Sequence, residues 1–224
     1  MGEKRIALYG GSFDPVHDGH LAVARALAEL FALDRVLFIP AHVAPHKRTA
    51  PPTPAWHRHA MLALATQGEP RFCVSTVELD APERPYTVET LARLRTELGA
   101  GARPFFVMGA DSWAEITTWR DWERVLEMCD HVVVTRPGYE LSLGHVTSNI
   151  RARVRDLRGA GAGAVGRALE EAGGPHVFFN DAVKLDISST AVRRAAGRES
   201  AARLPVPAPV AEYIDKYGLY KDRA

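Results

Sequence analysis

Residues 5–20 read RIALYGGSFDPVHDGH. Arg5–Tyr9 is a short apolar run, the pattern of a buried strand, and Gly10-Gly11 ends it. Apolar side chains then recur at Leu21, Ala24, Leu27, Ala28 and Phe31, which is helical spacing. A strand, a glycine turn and a helix thus open the chain, and the rest repeats that alternation. Strands are expected at Val36–Ile39, Pro104–Met108, His131–Thr135 and His176–Phe179, with one or two short ones within Arg71–Leu79. Helices are expected at about 55–67, 88–98, 120–128, 188–196 and 210–217. Strands separated by helices imply βαβ units with right-handed crossovers, hence an α/β fold with a mainly parallel sheet. Ligands of such sheets bind beyond the carboxyl ends of the strands, where the strand order switches. The turns after the strands are therefore where site residues are expected.

Composition bounds the function classes. The chain has 224 residues, 46% of them hydrophobic, which suffices for a self-supporting core. Lys+Arg number 28 and Asp+Glu 27, a formal net charge of +1, so there is no bulk electrostatic reason to bind nucleic acid or an anionic membrane. No run approaches the ~18 apolar residues of a membrane span, and MGEKRIALYGG lacks a signal-peptide core. Cys73 and Cys129 lie far apart within apolar patterns, which argues against a disulfide framework and makes a cytoplasmic location the default. There is no internal repeat, and residues 1–224 read as one domain. Residues 140–174 read as a variable helical insertion, with Gly159–Gly166 (GAGAGAVG) as a flexible joint inside it. The oligomeric state, monomer or homo-oligomer, stays open.

The first turn carries chemistry. Without Cβ atoms, Gly10 and Gly11 allow a ligand close to the backbone, and Ser12 and Phe13 continue that loop. A helix starting near Asp18 or Gly19 offers unpaired N–H groups and a partial positive charge, which suit a phosphate. His17 and His20, three apart, fall on one side of its first turn and can donate to phosphate oxygens. Taken singly, Gly-Gly is an ordinary strand-ending turn and a histidine near a helix start an ordinary cap. A zinc site would need a third ligand that the spacing does not supply. A second turn near the C-terminus, LDISSTAVRR, places Ser188, Ser189 and Thr190 at another helix start, with Arg193 one turn in. Capping explains one hydroxyl. Three hydroxyls, a helix N-terminus and an arginine together make a polyphosphate cradle. Arg136, after HVVVT, is placed to meet an anion, or is a surface arginine.

GGSFDPVHDGH resembles the signature of the HxGH nucleotidyltransferase superfamily, and ISSTAVR is similar to that superfamily's second signature, which holds the ATP phosphates. The resemblance implies a Rossmann-like, doubly wound sheet with helices on both faces. It also implies transfer of a nucleotide from ATP to a phosphate ester with release of pyrophosphate. Three further segments resemble the bacterial nicotinate-nucleotide adenylyltransferases: Pro45-His46-Lys47, the YTVETL of Tyr86–Leu91, and Met108–Ser112 with Thr118-Trp119. That resemblance implies Lys47 on a phosphate and Thr87, with backbone N–H groups, at the nicotinate carboxylate. It implies Gly109 and Asp111 at the nucleotide or its ribose, and Trp119 stacked on the pyridine ring. Trp113 and Trp122 are the core candidates by periodicity, and a swap with Trp119 stays open.

The expected reaction is attack of the 5′-phosphate of nicotinate mononucleotide on the α-phosphorus of MgATP. Mg²⁺ would be carried by the triphosphate and not by a protein cage. His17 and His20 would stabilise the developing charge. Gly10, Gly11, Ser12, Phe13, Lys47, Ser188, Ser189, Thr190 and Arg193 would hold ATP, and Thr87, Gly109, Asp111, Trp119 and Arg136 the acceptor. Alternatives are a nicotinamide mononucleotide or phosphopantetheine acceptor, a non-catalytic nucleotide-binding module, and an RNA-binding role that the balanced charge disfavours.

Overall fold

A computed structural model describes residues 3–42, 52–81, 83, 85–135, 139–181, 183, 187–197 and 204–221. Its frame is a seven-stranded sheet in the order β3-β2-β1-β4-β5-β7-β6. The strands are β1 (Lys4–Gly11), β2 (Arg35–Pro40), β3 (Phe72–Val74), β4 (Ala102–Gly109), β5 (Asp130–Val134), β6 (Val154–Asp156) and β7 (Val177–Asn180). Every neighbouring pair is parallel.

Side-chain alternation divides the core in two. On β1, Ala7 faces one layer, packed with Leu27, Leu62, Val165, Val192 and Val210. Ile6 and Leu8 face the other, packed with Leu91, Trp113, Leu126 and Ile150. The first layer takes α1 (Asp18–Leu30), α2 (Ala55–Thr66), α7 (Ala162–Glu170), α8 (Ser189–Ala196) and α9 (Ala208–Lys216). The second takes α3 (Thr87–Leu98), α4 (Ala110–Ala114), α5 (Trp122–Met128) and α6 (Ser148–Ala152). The sheet is therefore doubly wound. The chain runs outward from β1 to β3 and returns to β4 on the other side of β1. That reversal makes a crevice between the carboxyl ends of β1 and β4. The register Tyr9↔Val107 sets Gly11 level with Gly109, two residues on.

The alternation of residues 71–79 yields one three-residue strand, within the expected one or two, and Thr76–Asp80 closes into a turn: the Asp80 N–H reaches Thr76 O at 2.8 Å. Several elements differ from expectation. Arg120 and Asp121 lie outside α5, and Asp121 takes φ +49° ahead of it. Residues 159–166 hold a turn and the first part of α7, whose Val165 and Leu169 are buried at helical spacing. Burial of two such side chains, at about 1.5–3 kcal/mol each, outweighs the helix penalty of about 1 kcal/mol for each of Gly163 and Gly166. α6 falls within the helical insertion expected at 140–174, whereas β6 was not expected from the sequence. Among the described residues no helix is long and apolar enough to cross a membrane.

Candidate active site

The first turn is held open by an aromatic wedge. Phe13 takes a left-handed φ of +44°, unusual for a side chain of that size. Its ring is buried and meets Tyr9, Phe38 and His20 edge-on, at centroid distances of 5.4, 5.6 and 5.0 Å. Packing thus holds the backbone strain in place. A Cβ on Gly11 would lie 2.9 Å from Phe13 Cζ, so this approach requires glycine.

His17 is the N-cap of α1, and its ring stacks on that of His20, with centroids 3.7 Å apart and planes 24° apart. The His17 N–H donates to His20 Nδ1 at 3.2 Å. A neutral His20 must then carry its proton on Nε2. Burial, reinforced by His17, holds His20 well below the usual histidine range, so at neutral pH it is an uncharged donor. A Cβ on Gly19 would sit 3.0 Å from His17 Nδ1. The expectation of free N–H groups at this helix start needs one correction. The Asp18 N–H is taken by Pro205 O at 3.0 Å, because the 204–206 segment lies across the turn.

The second turn seats directly on the first. Ser188 caps α8, its Oγ accepting from Ala191 N–H at 3.2 Å. Ser189 Oγ donates to Pro15 O at 3.1 Å. Arg193 Nη1 donates to Asp14 O at 2.5 Å and Nη2 to Thr190 Oγ1 at 3.1 Å. All three hydroxyls therefore have protein partners; Ser189 and Arg193 build the junction between the turns, while the Ser188 and Thr190 bonds stay within α8.

Two anchors were not foreseen. Arg58, 1% exposed, gives its guanidinium to main-chain oxygens alone among its described hydrogen bonds: Thr53 O at 2.9 Å, Ser12 O at 2.7 Å, Ala41 O at 2.6 Å and His42 O at 3.1 Å. Burial pulls it below the usual arginine range, against the raising effect of Asp14. The signal was present: Arg58 lies on the apolar stripe of α2, with Met61, Leu62 and Ala65. Asp14, 3% exposed, accepts from Tyr220 Oη at 2.8 Å and Thr53 N–H at 3.2 Å. Across 206 residues no local pattern announces the first of these bonds.

On the far side of the crevice, Gly109 caps α4 and Asp111 lies exposed in its first turn. Phe106 lines the way from β1, its ring 3.2 Å from where a Cβ of Gly10 would stand and 6.3 Å, edge-on, from Trp119. Trp119 is half-buried, whereas Trp113 is fully buried with Nε1 donating to Ser142 O at 3.3 Å. Trp113 is thus a core residue, whereas Trp119 and Trp122, the latter also a core candidate by periodicity, are both only partly buried. The 119–120 segment reaches α3: the Arg120 guanidinium stands 4.7 Å from the Tyr86 ring centroid. Thr87 is the first helical residue and not the cap, since Glu89 Oε2 accepts from Tyr86 N–H at 2.9 Å. Lys47 and Arg136 lie outside the described residues.

The model of the cytidylyltransferase-like family matches residues 8–195. A protein of Symbiobacterium thermophilum, named a probable nicotinate-nucleotide adenylyltransferase, is 38% identical over 216 residues, covering 96% of this chain and 95% of its own. One from Thermus thermophilus with the same name is 40% identical over 217 residues, 97% of this chain and 100% of its own. The fold is similar to that of Plasmodium falciparum nicotinic acid mononucleotide adenylyltransferase complexed with NaAD. The TM-score is 0.71 at 19% identity, over 97% of this chain and 98% of the other.

Proposed function

Because the chain belongs to the cytidylyltransferase-like family and, within it, to the nicotinate-nucleotide adenylyltransferases, we propose that it transfers AMP from ATP to nicotinate mononucleotide, giving nicotinate adenine dinucleotide and pyrophosphate. The observation that carries the reading is the junction of the two turns, with Arg193 on Asp14 O and Ser189 on Pro15 O. One triphosphate can touch both.

The nucleophile, a phosphate oxygen, is already anionic, so no general base and no covalent intermediate are needed. Catalysis is then positioning and charge stabilisation. The mononucleotide phosphate attacks the α-phosphorus in line, the bond to the β-phosphate oxygen breaks, and pyrophosphate leaves. His20 Nε2–H and His17 stand where the transferring phosphates lie. The neutral His20 imidazole donates without the cost of a buried cation, and a phosphate arriving beside it favours protonation. Gly10, Gly11, Ser12, Phe13, Ser188, Ser189, Thr190, Arg193 and Lys47 hold ATP. Thr87, Gly109, Asp111, Trp119 and Arg136 hold the acceptor. Mg²⁺ enters as part of the MgATP substrate. The whole chain serves as one nucleotidyltransferase domain, works in the cytoplasm and needs no nucleic acid or membrane.

Pyrophosphate release from MgATP, measured in parallel with nicotinate mononucleotide, nicotinamide mononucleotide and phosphopantetheine, tests the reading. The expected result is turnover with the first, well above the other two. ATP binding without turnover with any acceptor would instead identify a nucleotide-binding module.

A further inference from the structure

Glu78 follows β3 in the turn that leads toward α3, and none of the phosphate chemistry uses it. Its Oε2 accepts from the His42 N–H at 3.1 Å, and its Oε1 accepts from Thr90 Oγ1 at 3.0 Å. His42 lies just beyond the carboxyl end of β2, and Thr90, 2% exposed, lies in the first turn of α3, three residues after Thr87. One carboxylate thus ties two elements that meet at the crevice. Burial raises its affinity for a proton, while the His42 and Thr90 bonds and the Arg58 charge oppose that rise. The tie is also continuous with the ATP side, because Arg58 holds both His42 O and Ser12 O.

We propose that Glu78 is a positioning residue for the acceptor: by gripping Thr90 and the His42 main chain it fixes the first turn of α3, and with it Thr87, relative to the phosphate turn. The proposal rests on nicotinate mononucleotide being the acceptor. A misplacement of about 1 Å in such a positioning element can cost on the order of a hundredfold in rate. Loss of one tie while the helix stays packed weakens acceptor binding first, since Glu78 touches α3 directly but reaches the ATP side only through His42 and Arg58, and Arg193 and Ser189 still join the ATP turns.

The test compares Glu78→Gln, Thr90→Val, Thr90→Ser and the Glu78→Gln/Thr90→Val double variant with the wild type. KM is measured for each substrate with the other saturating, and a melting curve is recorded for each variant. Glu78→Gln is expected to raise KM for nicotinate mononucleotide about tenfold and to leave KM for ATP within about twofold. Thr90→Val shifts the same KM in the same direction, Thr90→Ser restores it, and the double variant falls short of the product of the singles. Equal rises in both KM values, no rise for the mononucleotide, or a Thr90→Ser as impaired as Thr90→Val would overturn the proposal alone. A wild type that releases no pyrophosphate with this mononucleotide would overturn the acceptor reading and this proposal with it.

Discussion

His20 shows what the site asks of a single side chain. Its Nδ1 is occupied by the His17 N–H, its neighbour is a stacked imidazole, and burial keeps it neutral, so its remaining N–H is a fixed donor. Removal of one such preorganised donor costs about 10²–10³ in kcat in comparable sites. His20→Ala is expected to lower kcat for pyrophosphate release on that order with a smaller change in KM. A near-normal kcat would take His20 out of the chemistry. Trp119 is the matching case for the proposed acceptor. Its half-buried indole, edge-on to Phe106, leaves ring surface for a pyridine. Trp119→Ala is expected to raise KM for the mononucleotide about tenfold while KM for ATP moves little. Equal shifts would leave Trp119 a packing residue.

At the scale of elements, the two turns meet where the loop ahead of α1 touches the first turn of α8. Arg193→Gln keeps much of the stem but loses the charge and the fork that spans Asp14 O and Thr190 Oγ1. KM for ATP is expected to rise roughly 10–100-fold, as for a lost charge-assisted contact, measured beside the melting temperature. A lower melting temperature with unchanged KM would make Arg193 purely architectural. Both turns were legible in the sequence because glycine, histidine, serine and arginine stand at strand-to-helix junctions, where their chemistry is recognisable before any fold is known. The apolar runs of β1, β2, β4 and β5 were legible for a similar reason: strands covered on both faces leave unbroken hydrophobic stretches. β6 was not, since VRD at the sheet edge exposes Arg155 and Asp156 and offers no apolar run. α7 was masked by its glycines, and its buried pair Val165 and Leu169 outweighs them. Trp113, Trp119 and Trp122 could not be ranked by periodicity alone; burial sets Trp113 apart as the core residue and leaves Trp119 and Trp122 alike, both partly buried against the same layer. Arg58 on an apolar helix stripe was readable in principle, whereas the Asp14–Tyr220 bond was not.

For the whole molecule, acid sensitivity has an identifiable source in β5. His131 is fully buried, its Nδ1 engaged with Cys129 O at 2.9 Å and its Nε2 without a partner among the described residues. Burial pushes it down to about 4, with Arg153 adding to the shift and the Cys129 bond opposing it. Between an unfolded value near 6.5 and about 4, the unfolded chain binds a proton there that the native protein does not, so stability falls as pH drops through that window. Denaturant unfolding at pH 7 and 4.5 is expected to show a loss of about 2–3 kcal/mol from this group, and His131→Leu is expected to remove that part of the difference. An undiminished difference would place the acid sensitivity elsewhere. The Arg58 hub has a consequence for how freely the chain can vary. Every oxygen it grips belongs to a peptide group, which any amino acid supplies. Positions 41 and 42 can therefore change to any residue with a main-chain N–H without breaking the clamp, while a change at 58 releases four carbonyls together. In a saturation library scored for protein abundance, tolerance should be broad at those two positions, proline apart, and nearly absent at the arginine, with lysine no substitute for its planar fork.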